Sequence, residues 1–149
     1  MKDAGVDVFA DRMMELYPQW VRGMARFESN YLIKGVITLP QVWALHYLSR
    51  HKECPMSALA ESMKLGLSSV TGMVDRLVKQ NLAERRRAEN DRRVVFVDIS
   101  AKGRAVLKQI LDQRRKFTVK LFGSLTARER SNYLNILGKL VNELLKNGN

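Results

Sequence analysis

Residues 68–99 constrain the fold of this chain more than any other stretch. The segment opens with Ser68, Ser69, Thr71 and Gly72, carries Val70, Val74, Leu77 and Val78 at helical spacing, and reaches Asn81, a residue that tolerates the left-handed conformation that ends a helix. Two short alternating runs follow, 82–87 and 93–99. In the second, Val95, Val97 and Ile99 face one way and Val94, Phe96 and Asp98 the other, which is the period of a strand. The link from Ala88 to Arg92 is polar and turn-prone, so the two runs are expected to form a hairpin. Upstream, residues 56–63 form a short helix with Leu59 and Met63 facing inward, and Lys64-Leu65-Gly66 a turn in which Gly66 is free to take a positive φ. Short helix, tight turn, second helix is helix-turn-helix spacing. A helix of this size enters a DNA major groove, and a basic hairpin beside it reaches the flanking backbone or minor groove.

The remaining segments frame that unit. Thr38-Leu-Pro-Gln41 resembles a capping box with proline tolerated in the first turn, and a helix continues through Val42, Leu45, His46 and Leu48 until Glu53-Cys54-Pro55 ends it. Before it, Phe9, Met13, Leu16, Tyr17, Trp20, Met24, Phe27 and Tyr31 share one helical face. Pro18 lies inside that run and is expected to kink the helix or restart it near Tyr17, because proline has no amide donor. Gly35 to Ile37 breaks the pattern. Ser100 is the expected N-cap of a helix carrying Val106, Leu107, Ile110, Leu111, Phe117, Leu121 and Phe122. After Gly123-Ser124, Thr126 and Glu129 form a second capping box, and Tyr133, Leu137, Leu140, Val141 and Leu144 stripe a final helix. The expected organisation is a helical segment over 1–37, a winged DNA-binding lobe over 38–100 and C-terminal helices over 101–149. The terminal helices carry more apolar surface than a small winged domain needs, which points to a homodimer built from both ends.

Composition narrows the partners. A net charge of +11 over 149 residues favours a polyanion, and 46% hydrophobic residues support a packed core. No apolar run approaches the roughly 20 residues of a spanning helix, and no secretory leader is recognisable, so a cytoplasmic protein with no membrane partner is expected. Cys54 is the single cysteine, which excludes an internal disulfide. His46, His51 and Cys54 lie close in sequence, but no second cluster completes a zinc site, and Cys54 reads as a small buried apolar residue. No catalytic set and no phosphate-cradling loop is recognisable, so neither an enzyme nor a cofactor is expected.

Taken together, T-L-P-Q before a helix, LAESMKLGLSSVTGMVDRLVKQNL, and ERRRAENDRRVVFVDISAKG resemble the MarR family of bacterial transcription regulators over about Thr38 to Gly103. The most specific element is the D-x-R signature, Asp91-Arg92-Arg93, before a hydrophobic strand and the Ser100/Gly103 helix start. Serine stands at 100 where the family usually has threonine, and asparagine at 81 where it often has glycine. The resemblance implies a mainly α fold with a small β-hairpin wing: a winged helix-turn-helix with N- and C-terminal dimerisation helices. It also implies a homodimer, usually a repressor, that binds a pseudo-palindromic operator and often loses affinity on binding a small, frequently aromatic, ligand. Peroxide-sensing relatives keep their reactive cysteine in the first helix, where this chain has none.

Residue by residue, Ser68, Ser69, Thr71 and Gly72 let the backbone approach double-stranded DNA and offer hydroxyls to phosphates or base edges. Arg76, about one turn on, reaches a guanine edge or a phosphate; alternatively Ser68 only caps the helix and Arg76 pairs with Asp75 or Glu84. In the wing, Arg85, Arg86, Arg87, Arg92 and Arg93 crowd one hairpin at a density that a polyanion relieves. By resemblance, Arg93 enters the minor groove, Asp91 orients it, and Arg92 serves phosphates, while Arg85 joins the DNA-facing set. Trp20, Met24, Phe27, Trp43, Tyr47 and Phe117 are candidates for a ligand cleft, with ordinary core and dimer packing as the alternative. Two further functions fit a winged helix: a protein-interaction module, or a DNA binder with little sequence preference.

Overall fold

The computed structural model describes residues 4–32, 37–87 and 94–147. Its elements in chain order are α1 (Ala4–Leu32), α2 (Leu39–Leu48), β1 (Cys54–Pro55), α3 (Met56–Ser62), α4 (Leu67–Lys79), β2 (Ala83–Arg87), β3 (Val95–Ile99), α5 (Ala101–Phe122) and α6 (Ala127–Asn147). The chain divides into two compact units, Met1–Ile110 and Leu111–Asn149.

In the first unit, α2, α3 and α4 close around a small antiparallel sheet of order β1-β3-β2. Leu45, Leu48, Leu59, Val70, Val74, Leu77, Leu82 and Val97 are fully buried and form the centre of the core. The hairpin pairs Arg85 with Val97 and Ala83 with Ile99, with Val97 and Ile99 turned inward as their alternation predicts. Strand β1 is an addition to the expected fold: Cys54 pairs with Val97 and Pro55 with Phe96, on the other edge of β3. Two residues are too few to show a period, so only the long-range pairing reveals them.

The helix ends are built by local chemistry. The Thr38 amide and hydroxyl both donate to Gln41 Oε1, at 2.8 and 3.1 Å, which satisfies the buried Gln41 side chain at the start of α2. Helix α4 ends on Asn81 at φ 59, where the Leu82 amide donates back to the Leu77 carbonyl (2.8 Å) and the Asn81 amide to Val78 (2.9 Å). At the start of α5 the Gly103 amide donates to Ser100 Oγ (2.9 Å), while the Ser100 hydroxyl donates to the Asn81 carbonyl (2.7 Å). Ser100 therefore caps α5 and ties it to the end of α4. Gly103, Leu107 and Ile110 then join the core of the first unit.

Two expectations change. Helix α1 runs unbroken from Ala4 to Leu32 with Pro18 inside it, so the chain does not restart near Tyr17. The carbonyl of Met14, which loses its helical donor to Pro18, lies on an exposed residue where water can replace that donor. The turn before α4 also differs. Gly66 has φ −63 and acts as the N-cap in an extended conformation, and Lys64 takes the left-handed conformation at φ 51. Lys64 follows the C-cap Met63 of α3, with Leu65 N–H bonded to the Ala60 carbonyl (3.1 Å) and Lys64 N–H to Glu61 (3.0 Å), so the helix-ending geometry falls there and leaves Gly66 to open the next helix.

In the second unit, the Thr126 amide donates to Glu129 Oε2 (2.7 Å) and the Glu129 amide returns the bond to Thr126 Oγ1 (3.3 Å), the expected capping box at the start of α6. Phe122 and Tyr133 pack with ring centroids 4.9 Å apart. The stripe Tyr133, Leu137, Leu140, Val141 and Leu144 is exposed on α6, and on α1 Phe9, Met13, Leu16, Tyr17 and Trp20 are likewise exposed.

Candidate nucleic-acid interface

Helix α4 presents two chemically distinct faces. Val70, Met73, Val74 and Leu77 are buried. On the opposite side Ser68, Ser69 and Arg76 are exposed and Gly72 is half-buried; Ser68, Gly72 and Arg76 follow one another at intervals of one turn. With Gly66 as N-cap, Ser68 stands inside the first turn and is not the cap. The Thr71 hydroxyl donates to the Leu67 carbonyl (2.7 Å), so its proton is used within the helix and its lone pairs remain as acceptors. A Cβ at Gly72 would meet nothing within 4 Å, so space beside the backbone is open. Among the described residues Arg76 has no ion-pair partner, and Asp75 is paired with Arg85 instead.

The basic hairpin is more differentiated than its sequence suggests. Arg85 Nη1 donates to Asp75 Oδ1 and Nη2 to the Thr71 carbonyl (3.1 Å), which fastens β2 to α4. On the other face of β2, Arg86 pairs with Glu53 and lies over the Phe96 ring at 5.5 Å. The Glu53 amide, at a residue with φ 51, donates to Asp98 Oδ1 (2.8 Å) and holds the turn before β1 against β3. Arg87 shares the Arg85 side of the strand, is exposed, and has no ion-pair partner among the described residues. Strand alternation from the buried Ala83 is the signal that separates Arg85 and Arg87 from Arg86. Asp91, Arg92 and Arg93, the expected wing tip, lie outside the described residues.

Of the aromatic candidates, Trp43 and Tyr47 come together. With His46, Arg50, His51 and Met63 they line an open groove of ≈ 580 Å³ along α2 and the end of α3. The His51 ring stacks on Tyr47 with centroids 4.1 Å apart, and its Nδ1–H donates to the Tyr47 carbonyl (2.9 Å). Trp20 and Met24 lie on α1, exposed and half-buried, and Phe117 is half-buried in the second unit; the Phe27 side chain lies outside the described residues. Among the described residues no three His, Cys, Asp or Glu side chains could hold a metal ion. Cys54 is buried, and burial, reinforced by the Asp98 carboxylate, pushes its thiol pKa up, away from a reactive thiolate. No helix among the described residues is long and apolar enough to cross a membrane.

The sequence model of the MarR family matches residues 37–95, which run from the start of α2 to the first residue of β3. The HTH-type transcriptional repressor MdtR of Bacillus subtilis is 31% identical over 72% of this chain and 69% of its own length. The chain belongs to the MarR family. Its fold is that of the family's winged helix-turn-helix proteins: the crystal structure of YusO from Bacillus subtilis superposes with a TM-score of 0.79 at 26% identity, covering 95% of this chain and 99% of YusO. The S. aureus MepR–DNA complex shares the fold at a TM-score of 0.71 and 18% identity, over 88% of this chain and 98% of MepR. As a MarR-family chain, this protein is a transcription regulator of the DNA-binding winged-helix type.

Proposed function

We propose that this chain is a cytoplasmic homodimeric repressor that reads a pseudo-palindromic operator and releases it when a small aromatic ligand binds. The observation that carries the DNA reading is the face of α4 on which Ser68, Ser69 and Gly72 lead to an Arg76 without an ion-pair partner among the described residues, directly opposite the face packed in the core. A guanidinium held on a rigid helix can address a guanine edge with two donors, and the short residues before it permit close approach. MdtR is named a repressor, and MepR is solved in complex with DNA, which supports carrying both properties to this chain. The exposed apolar stripes of α1 and α6 support self-association, since surface of that extent on one chain is costly in water. The Trp43–Tyr47 groove supports a flat organic ligand. In the wing, Arg93, oriented by Asp91, enters the minor groove, and Arg92 completes the contacts to phosphates.

The test is equilibrium binding of wild type and Arg76→Ala to a duplex selected from a random pool, at matched salt. Arg76→Ala is expected to weaken binding by roughly 1–3 kcal/mol and relax discrimination at one base position in each half-site. Unchanged affinity and unchanged base preference would remove Arg76 from the reading set. Equal wild-type affinity for selected and random duplexes would replace the operator reading with non-specific binding.

A further inference from the structure

We propose that Arg85 is a positioning residue that sets the wing relative to the recognition helix, and that it does not contact DNA. Arg85 is the third residue of β2, two residues before the strand ends at Arg87. Its guanidinium holds two acceptors on successive turns of α4, the Asp75 carboxylate and the Thr71 carbonyl. Thr71 is in turn held to Leu67 through its hydroxyl, so three residues spaced by four form one edge of the helix, and the Arg85 fork lies along it. A planar guanidinium with two fixed donors constrains both distance and angle, which a single ammonium cannot do.

Energy alone does not explain such a contact. The Arg85 and Asp75 side chains are 29% and 57% exposed, and an ion pair this wet contributes little to stability. Its content is orientation. Arg86, on the opposite face of β2, is held to Glu53 and Phe96, so the strand is fastened on both faces at consecutive residues. On the DNA reading, the α4 face carrying Gly72 and Arg76 and the wing that β2 and β3 support address two grooves at a set separation, and Arg85 joins α4 to β2. A phosphate-binding arginine would give up both of these partners.

The inference rests on the DNA reading above, and its test separates the two. Wild type, Arg85→Ala, Arg85→Lys, Asp75→Asn and the Arg85→Ala/Asp75→Asn double variant are titrated with the selected duplex and with random duplex across a salt series, with thermal unfolding recorded for each. Loss of wild-type preference for the selected duplex would fail the DNA reading; the variants then address Arg85 through hydrogen exchange alone. The expected result is that each single variant loses about tenfold in affinity for the selected duplex, that the double variant loses no more than either single, and that affinity for random duplex and the salt slope stay at wild-type values. Arg85→Lys, which keeps the charge, is expected to lose as much as Arg85→Ala. Without DNA, amides of β2 and β3 exchange faster in Asp75→Asn than in wild type while those of α2 do not. Three results would overturn the proposal: tighter DNA binding by Asp75→Asn, as expected of a released phosphate contact; a salt slope lowered by about 0.9 per subunit in Arg85→Ala; or unchanged hairpin exchange.

Discussion

The corner where α4, β2 and α5 meet offers the sharpest test of the packing. A methyl group placed on Gly103 would lie 2.0 Å from the Leu82 carbonyl oxygen and 2.9 Å from both the Leu82 carbonyl carbon and Ile99 Cγ1. The closest of these is backbone, so Gly103→Ala has no flexible side chain to push aside. The Leu82 carbonyl must retreat by more than about 1 Å to reach ordinary contact, and that same oxygen accepts the Ser100 amide at 3.1 Å. Overpacking of this kind costs about 1–3 kcal/mol, and loss of the Ser100 bond adds about 1 kcal/mol. Alanine's better helix propensity returns about 1 kcal/mol. The net expectation is a destabilisation of about 1–3 kcal/mol, or a fall in Tm on the order of 3–10 °C for a chain of this size. Thermal unfolding followed by circular dichroism measures it, with Gly23→Ala as the control, because a Cβ there meets nothing within 4 Å. Gly103→Ala melting at or above wild type would refute the close approach of α5 to the Leu82 carbonyl.

Gly72→Ala is expected to separate folding from binding: it gains up to about 1 kcal/mol of helix propensity in open space, yet it loses at least about 1 kcal/mol of affinity for the selected duplex if DNA backbone approaches that surface. Equal affinity of the two proteins would remove Gly72 from the interface. Leu144→Asp places a charge within the exposed apolar stripe of α6 and is expected to shift the chain toward monomer in sedimentation equilibrium, with a wild-type dimer as the reference; an unshifted dimer would exclude that stripe from the interface. Glu129 tests the α6 cap. The Thr126 amide first, then its hydroxyl, holds the Glu129 carboxylate below its ordinary pKa. A lowered folded-state pKa stabilises the fold fully above the ordinary glutamate value and loses that contribution as pH falls through the lowered one. The melting difference between wild type and Glu129→Gln should therefore be largest near neutral pH and close in acid; a difference independent of pH would contradict this cap.

Local chemistry was legible in the sequence. Thr38 with Gln41, Thr126 with Glu129, Asn81 and Ser100 each announce a helix end through a side chain or backbone preference acting within a few residues. The hairpin was legible because its inward residues alternate, and helix α4 because its polar start stands opposite an apolar face. Non-local pairing was not. Strand β1 exists through partners more than forty residues away, and the Arg85 fork joins residues 10 and 14 apart that no local period links. Gly66 shows a different limit: glycine permits the left-handed conformation but does not require it, and the geometry past α3 assigned it to Lys64. The crowd of arginines likewise read as one basic patch, whereas the fold gives Arg85 and Arg86 protein partners on opposite faces and leaves Arg87 exposed.

Selection of duplexes bound by the full chain from a random pool tests the central claim most directly, because symmetry and specificity are read from one experiment. The predicted result is a pseudo-palindrome whose half-sites are centred about 34–36 Å apart, bound at least about a thousandfold more tightly than random duplex at the same salt. Recovery of no common sequence, with selected and random duplexes bound equally, would contradict a dimer that reads DNA through α4.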